Sequence, residues 1–293
     1  MFSMNKLSLK QRAQILHMLV EGNSLRSTAR MADVSRNTVD KLLRDAGSAC
    51  LDYQDKAFVN LPCKRIQCDE IWSFVYSKKK NVPEDKQDEF GYGDVWTWVA
   101  ICADTKLVPC WHVDNRGLDA AKRFISDLAD RLAHRVQLST DGHRPYLEAV
   151  EEAFGADIDY GRLIKYYGND NKGEKRYSPA KFVSASCGAV VGKPDRKHIS
   201  TSYVERQNLT MRMNMRRFTR LTNGFSKKVE NHVHAISPHY MYYNFGRIHK
   251  TLKVTPAMEA GITDRLWSLE DIAALVKDEP AKKRGSYKKR ISN

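Results

Sequence analysis

The sequence lacks long apolar runs and is poor in proline and glycine. Its 293 residues include only 9 prolines and 16 glycines, while 42% are hydrophobic. This balance excludes collagen-like, low-complexity and wholly disordered chains. No stretch approaches the roughly 18 consecutive apolar residues that a membrane-spanning helix needs. Residues 1–10 lack the apolar core of a secretory signal, so we expect the protein to stay in the cytoplasm.

Paired cysteines are also missing. None of the six cysteines stands in a Cys-x-x-Cys pair, and Cys63 and Cys68 have no matching cysteine or histidine pair downstream. A zinc site is therefore not predicted. Cys102 and Cys110 lie in apolar runs, as is typical of thiols buried in a core. This usage fits a reducing cytosol.

Negative charge is scarce relative to positive charge. The chain has 35 Asp and Glu against 49 Lys and Arg, which gives a net charge of +14 and an isoelectric point near 9.4. Such an excess favours a polyanionic partner, most often nucleic acid, although a merely basic protein would have the same balance. The length allows about two domains.

Residues 7–47 have the spacing of a helix-turn-helix. Helices are predicted over residues 9–20, 24–32 and 35–43, with Ser24 and Ser35 as N-caps. Asp33 holds the turn position, where a left-handed residue is needed, and aspartate tolerates that conformation. The outer face of the third helix offers side chains that suit base edges and phosphates: Arg36, Asn37, Lys41 and Arg44.

Two interpretations of this first block are possible. An ordinary three-helix bundle with a solvated face would have the same pattern. The net charge favours DNA binding, so we predict a DNA-binding domain over residues 1–47, followed by a linker over residues 48–64.

The second block has an alternating α/β pattern. Strands are predicted over residues 65–76, 95–103, 107–113, 136–140 and 162–167, and helices over residues 118–134 and 146–154. Three antiparallel strands followed by helix, strand, helix and strand is the order of an α/β fold of the RNase H-like class, with a mixed five-stranded sheet.

The remaining segments complete the predicted organisation. Residues 65–260 are assigned to the RNase H-like domain, with an irregular polar insertion at residues 168–199 and helices after residue 200. Residues 261–293 are expected to form a short helix and a basic, disordered tail.

Two aspartates stand where strands could bring them together. Asp69 lies inside an apolar strand, where a carboxylate must be paired, hydrogen-bonded or bound to metal. Glu70 is expected to point to the opposite face. Asp141 follows a strand, at the sheet edge where ligands gather in open α/β sheets. In this fold the first and fourth strands are neighbours, so Asp69 and Asp141 should converge and favour Mg²⁺ between them.

Glu205 is the candidate for a third carboxylate. It is the one acid among nine lysines and arginines in residues 196–228, and it could also simply pair with an arginine. On a helix it would border a row of basic residues. Further phosphate contacts are predicted at Arg206, Arg212, Arg216, Arg217, Arg220, Arg247 and Lys250, and accessory roles are considered for His143 and His198.

Three segments in order carry a family resemblance: CDEIWSFV at 68–75, STDGHRPYL at 139–147 and STSYVERQNLTMR at 200–212, followed by YMYYNFGRIHKTL at 240–252. They resemble the catalytic segments of DDE transposases of bacterial insertion sequences, above all the insertion-sequence-one family of the retroviral-integrase superfamily. The resemblance covers residues 65–260.

The resemblance implies roles for single residues. Asp69 corresponds to the first aspartate, Asp141 to the second and Glu205 to the final glutamate. These three would hold two Mg²⁺ ions, for which Mn²⁺ can substitute. The interval from Asp141 to Glu205 (205 − 141 = 64 residues) is longer than in integrase relatives, and Asp195 and Glu148 are the rival positions.

The implied activity is cleavage and strand transfer of double-stranded DNA, at the terminal repeats of the element and in target DNA. A homodimer or larger assembly on DNA is implied as well. Two alternatives remain. A helix-turn-helix transcriptional regulator would need no convergence of the three carboxylates, and a cellular nuclease of the same fold would not need end-specific binding by residues 7–47.

Overall fold

The computed structural model describes residues 6–87, 89–168, 181–219 and 222–277. A helical N-terminal region precedes a mixed β-sheet that has helices on both faces. The described residues contain no helix that is both long and apolar enough to cross a membrane.

The described α-helices are α1 (Leu9–Val20), α2 (Leu25–Met31), α3 (Arg36–Ala57), α4 (Leu118–Arg131), α5 (Pro145–Phe154), α6 (Ser202–Asn214), α7 (Val229–Met241), α8 (Pro256–Glu259) and α9 (Leu269–Ala274). The strands are β1 (Arg65–Val75), β2 (Gly93–Cys102), β3 (Trp111–Asp114), β4 (Gln137–Thr140), β5 (Asp159–Gly168) and β6 (Lys181–Val191). Helix α7 continues into a π-helical turn at Tyr242–Gly246.

The first three helices begin at the residues that the sequence predicts. The hydroxyl of Ser24 accepts the N–H of Ser27, and that of Ser35 accepts the N–H of Thr38, each at 3.1 Å. Asp33 has φ 51°, the left-handed conformation expected at the turn. The predicted caps and turn are therefore confirmed.

The predicted end of the third helix at residue 43 is wrong, and residues 48–57 of the predicted linker are helical. Helix α3 is 22 residues long and packs along α7. Gly47 permits the close crossing, because a Cβ there would lie 2.5 Å from the carbonyl oxygen of His234. Residues 58–64 also pack against the rest of the protein, since Phe58 and Leu61 are buried in its larger hydrophobic core. The tertiary contact with α7 extends the helix, and local sequence does not show that contact.

The sheet has the order β3-β2-β1-β4-β5-β6. Strands β1, β2 and β3 pair antiparallel, β4 is parallel to both β1 and β5, and β6 is antiparallel to β5. The predicted adjacency of the first and fourth strands is confirmed.

A sixth strand corrects the predicted five-stranded sheet and the irregular insertion. Strand β6 pairs with β5 along its length, and residues 182–190 are exposed on both faces. A strand that buries neither face needs no alternating apolar pattern, so periodicity could not reveal it. Residues 169–180 of the predicted insertion lie outside the described residues, as do residues 278–293 of the predicted tail.

Helices cover both faces of the sheet. On one face Trp98 of β2 packs against Phe124 of α4 and Tyr146 of α5. On the other face the neighbouring Val99 belongs to a buried cluster with Val204 and Met211 of α6. Alternation along β2 thus separates two apolar layers. Asp69 and Asp141 lie where β4 ends beside β1. Helix α5 packs there on one face of the sheet through Tyr146, and α6 on the other face through Asn208.

Candidate active site

The register of two parallel strands brings Asp69 and Asp141 together. Cys68 of β1 and Thr140 of β4 form the last matched pair between these two strands. Asp69 and Asp141 are the residues that directly follow this pair. Parallel strands lie about 4.8 Å apart, and a carboxylate oxygen of each aspartate lies within 4.8 Å of the other. The two carboxylates converge as the strand order predicts; that they are catalytic stays a prediction.

Glu70 is the third member of this carboxylate cluster, which corrects the expectation that it points away. Asp69, Glu70 and Asp141 each offer an oxygen, and these oxygens lie within 4.8 Å of one another. Strand β4 ends at Thr140, so no backbone separates the two faces of the sheet beside Asp141. Side chains from both faces of β1 can therefore reach the same carboxylate.

Glu70 is held by an arginine from outside the cluster. Its side chain is fully buried, and its Oε2 accepts hydrogen bonds from Nε and Nη2 of Arg116 at 3.2 and 3.1 Å. The guanidinium of Arg116 lies over the ring of Trp96, 4.5 Å from its centroid. Oε1 of Glu70 and the buried hydroxyl of Tyr146 form no hydrogen bond of ordinary geometry within the described residues, although Tyr146 is close enough to lower the pKa of Glu70.

Helix α6 is docked onto β1 by two side chains. Oε1 of Gln67 accepts the N–H groups of Tyr203 and Val204 at 2.8 and 3.3 Å, which satisfies donors that the start of a helix leaves open. Two residues further along β1, Oδ2 of Asp69 accepts a hydrogen bond from Nδ2 of Asn208 at 2.9 Å. These contacts fix the position of α6 beside the carboxylates.

Glu205 lies near the cluster but is not a member of it in the described residues. Its Oε1 accepts a hydrogen bond from the hydroxyl of Thr201 at 2.5 Å and forms an ion pair with Lys165 of β5. Its charge contributes to the raised pKa of Asp69. The partner is thus a lysine from the sheet rather than a neighbouring arginine, and the role of Glu205 as a metal ligand stays a prediction.

The rival positions lie in other surroundings. Asp195 caps a short 3-10 turn by accepting the N–H of Lys197 at 3.0 Å. Glu148 is an exposed residue of α5 paired with Lys122 at 2.7 Å. Neither belongs to the carboxylate cluster of the described residues.

Burial and mutual repulsion raise the pKa of two acids in the cluster. Burial is the main cause for Asp69, followed by the charge of Asp141, and its pKa rises to about 6. Burial also raises the pKa of Glu70 to about 7, although Tyr146 and Arg116 act in the opposite direction. A cation among these oxygens would offset the repulsion. Carboxylate oxygens without nitrogen or sulfur donors fit a hard divalent ion such as Mg²⁺ or Mn²⁺.

The two histidines considered for accessory roles have different neighbours. The N–H of His143 donates to Oδ1 of Asp141 at 2.9 Å, and its ring packs on Trp98. His198 instead contacts Arg65, with Nδ1 2.7 Å from Nη1. Of these two histidines, His143 is the one with a hydrogen bond to a carboxylate of the cluster within the described residues.

The predicted DNA contacts on the first helices are exposed. Arg36, Asn37, Lys41 and Arg44 all lie on the open face of α3. Lys41 pairs with Asp45 at 2.5 Å and Arg44 with Asp40 at 3.5 Å, which reduces the positive charge at the middle of the helix.

The predicted row of arginines after Glu205 is interrupted. Arg206 is exposed on α6 and Arg212 lies in its last turn, but α6 ends at Asn214, so Arg216 and Arg217 lie beyond it. The chain turns there because Met215 and Phe218 are buried in the same cluster as residues of α7. Arg220 lies outside the described residues. Arg247 and Lys250 are exposed after the π-helical turn.

Sequence reasoning missed several residues of the site. Gln67 precedes Asp69 by two residues and Asn208 follows Glu205 by three, so strand and helix periodicity could have placed each on the relevant face. Arg116 and Lys165 come from separate elements, and no local pattern connects them with the carboxylates.

Comparison with solved structures gives loose similarity to two transposase complexes. The piggyBac transposase synaptic complex with hairpin DNA has 10% identity and a TM-score of 0.42, over 92% of this chain and 70% of that chain. The pre-cleavage Mos1 transpososome has 9% identity and a TM-score of 0.25, over 89% and 82%. Similarity at this level does not decide the fold class or the activity of this chain.

Comparison with curated proteins gives no match. A family model described as a helix-turn-helix domain matches residues 3–45, a range that includes the caps and the turn described above. The N-terminal part of the chain is therefore a helix-turn-helix domain.

Proposed function

We propose that this chain is a DDE-type DNA transposase, which binds the ends of an insertion sequence and catalyses metal-dependent strand cleavage and strand transfer. The observation that carries the proposal is the convergence of Asp69 and Asp141 at the ends of neighbouring parallel strands, in a chain that also has a helix-turn-helix domain. A regulator without catalytic activity would have no need for this convergence.

The strand arrangement supports an RNase H-like catalytic domain. Three antiparallel strands are followed by two parallel strands on the other side of β1, with helices between them. Asp69 lies on the central strand and Asp141 at the end of its parallel neighbour, where ligands gather in open α/β sheets.

Asp69, Asp141 and Glu205 are proposed to hold two Mg²⁺ ions, for which Mn²⁺ can substitute. When bound, such ions activate a water or a 3′-hydroxyl and stabilise the leaving oxygen of the phosphodiester. Asn208 orients the carboxylate of Asp69 through its hydrogen bond. Glu205 would have to exchange its ion pair with Lys165 for a metal contact. The chain forms no covalent intermediate with DNA in this scheme.

The charge of the chain supports double-stranded DNA as the partner. A net charge of +14 attracts the phosphate backbone, and the start of α3 offers Arg36 and Asn37 to base edges. Pairing of two element ends would require two copies of the chain, so we propose a homodimer or larger assembly on DNA, in the cytoplasm and at the nucleoid.

The decisive experiment compares Asp69→Asn with Asp195→Asn, the variant of a rival position outside the cluster. Both proteins are given duplex DNA that contains the element ends, with Mg²⁺ or Mn²⁺. We expect Asp69→Asn to lose nicking while it retains end binding, and Asp195→Asn to nick at the wild-type rate. Normal cleavage by pure Asp69→Asn would refute the proposal.

A further inference from the structure

A groove runs between the helix-turn-helix domain and the rest of the chain. It encloses about 750 Å³. One wall is the junction of α1 and α2 with the start of α3, and the other is the segment after α6 together with α7. Leu19, Leu43 and Met215 contribute to its apolar floor.

The rim of the groove is positively charged. Five of its lining residues are basic, and none of its lining residues is an aspartate or a glutamate. His239 adds no charge near neutral pH, because burial lowers its pKa to about 3. The basic residues are Arg26, Arg36, Arg216, Arg217 and Lys227.

These five cations lack the acidic partners that neutralise others nearby. In the described parts of the chain no carboxylate forms an ion pair with any of them, whereas Lys41 and Arg44 on α3 each have one. Nε of Arg217 donates to the hydroxyl of Ser226 at 2.7 Å, and Nζ of Lys227 donates to a carbonyl oxygen at 3.2 Å. Those partners are neutral, so the concave surface keeps its positive charge.

The segment after α6 is shaped to form the second wall. The hydroxyl of Thr222 donates to the carbonyl oxygen of Arg216 at 3.3 Å. Gly224 lies so close that a Cβ there would be 2.8 Å from the same oxygen. This approach leaves the side chains of Arg216 and Asn223 exposed.

Arg36 connects the groove with the DNA-binding face. It is the first residue of α3 and belongs to the set predicted to contact DNA, and it also lines the groove. Arg26 approaches from α2, and Arg216 and Lys227 approach from the body. A DNA phosphate backbone that continues from the start of α3 into the groove would therefore contact cations of both domains.

We propose that the groove binds the phosphate backbone of duplex DNA beside the bases contacted by α3, so that one duplex contacts the helix-turn-helix domain and the body of the same chain. The inference rests on the proposed binding of DNA and adds a second contact surface to it. Arginine and lysine contacts to phosphates position a protein on a duplex without reading its sequence.

The test uses the full chain with three exposed cations neutralised: Arg26→Gln, Arg216→Gln and Lys227→Gln. Arg217 is left unchanged because its pKa is lowered to about 10 by burial and its removal could disturb folding. The matched control neutralises three exposed lysines of one surface loop, Lys78→Gln, Lys79→Gln and Lys80→Gln. Both variants have the same net charge, so overall electrostatic attraction is balanced.

Affinity for a short duplex from the DNA flanking the gene, and for an unrelated duplex, is measured by fluorescence anisotropy over a range of salt concentrations. Each lost phosphate contact reduces the slope of log K against log salt by about 0.9. We expect the slope of the groove variant to fall by about 2 to 3 relative to wild type, with at least about tenfold weaker binding on both duplexes. The control should stay close to wild type, and hydroxyl-radical footprints should lose protection beside the α3 contact only in the groove variant.

The outcomes separate this inference from the proposed function. Wild-type protein that binds no duplex at all would overturn the DNA-binding proposal itself. Wild-type binding with equal slopes for the groove variant and the control would overturn the groove inference alone. If the groove substitutions weaken binding of a single-stranded RNA titrated in parallel but of neither duplex, the groove inference also fails. Equal thermal midpoints of the three proteins establish that the substitutions have not unfolded the chain.

Discussion

Asn208 of α6 donates a hydrogen bond from Nδ2 to Oδ2 of Asp69 at 2.9 Å. This contact joins the helix that carries Glu205 to the strand that carries the first aspartate of the cluster. Asn208 is buried, and its Oδ1 has no hydrogen-bond partner among the described residues. Its position is therefore set by packing and by Asp69, which makes it an orienting group for that carboxylate.

Replacing Asn208 with leucine tests this orienting role. The hydrogen bond lowers the pKa of Asp69, so its loss should raise that pKa further and weaken binding of Mn²⁺. A hydrogen bond to a charged group contributes about 1.5–3 kcal/mol, so we expect roughly a tenfold or greater loss of affinity by calorimetry. Thr210→Ala on the same helix, whose hydroxyl donates to the carbonyl oxygen of Arg206 at 3.1 Å, should bind Mn²⁺ normally. Unchanged affinity in Asn208→Leu would contradict the role.

Glu70→Gln and Glu205→Gln separate the two glutamates near the site. Glu70 belongs to the carboxylate cluster, whereas Glu205 is paired with Lys165. We expect Glu70→Gln to weaken the first bound Mn²⁺ by about tenfold, or about 1.4 kcal/mol, because it removes one of the three negative charges of the cluster. Glu205→Gln should retain the first ion and lose DNA cleavage.

Electron paramagnetic resonance counts the bound Mn²⁺ ions in each variant. Glu151→Gln, an exposed acid of α5, is the control. If Glu70→Gln binds the first ion as tightly as wild type does, Glu70 has no part in holding it.

The contribution of Asp69 and Glu70 to the stability of the metal-free protein should fall as pH rises from about 4 to about 7. The folded pKa of Asp69 is raised from 3.8 to about 6 and that of Glu70 from 4.5 to about 7. At these two groups the folded state binds more protons than the unfolded state in this range, so their contribution to the free energy of unfolding decreases with pH. Buried His232 and His239, whose pKa is lowered to about 3, contribute in the opposite direction. A pKa that differs by one between the folded and unfolded states changes that free energy by about 1.4 kcal/mol, so the two carboxyls together should lower it by roughly a few kcal/mol.

Urea unfolding at pH 5 and pH 8 measures this dependence. Between pH 5 and pH 8 the free energy of unfolding of Asp69→Asn and of Glu70→Gln should rise relative to that of wild type, because each variant lacks one of the two contributions that fall with pH. Added Mg²⁺ should stabilise wild type at pH 8 because a ligand of the folded state stabilises it. A pH dependence in both variants that equals that of wild type would contradict the raised pKa values.

Gly47→Ala should destabilise the packing of α3 on α7. A Cβ at residue 47 would lie 2.5 Å from the carbonyl oxygen of His234, which is backbone and cannot rotate away. Overpacking of this kind costs typically about 1–3 kcal/mol. Ser48→Ala, at the exposed neighbour, is the control and should unfold at nearly the wild-type urea concentration. Equal midpoints for both variants would show that the crossing adapts more readily than the geometry indicates.

Local patterns predicted much of the framework. Ser24 and Ser35 cap helices as expected, because an N-cap is decided by a hydroxyl and the N–H groups two or three residues later. Strand β1 and its Asp69 were found because a buried strand is a continuous apolar run, in which an acid stands out. The pairing of Asp69 with Asp141 followed from one assumption about strand order, which the sheet bears out.

Other features depend on residues far apart in the chain. Helix α3 continues to Ala57 because α7 packs against it, and β6 forms because β5 offers it a partner. The place of Glu70 in the cluster depends on where β4 ends, and the ion pair of Glu205 depends on Lys165 from β5. Periodicity describes one element at a time, so it could not predict these contacts.

The amino-acid sequence by itself determined the helix-turn-helix, the main strands and the two aspartates, because hydrophobic period and capping are properties of neighbouring residues. Only the tertiary structure decided which third acid joins Asp69 and Asp141, and which basic residues share a groove. Those answers depend on distances between separate elements, and such distances are fixed when the two apolar faces of the sheet are buried by their helices.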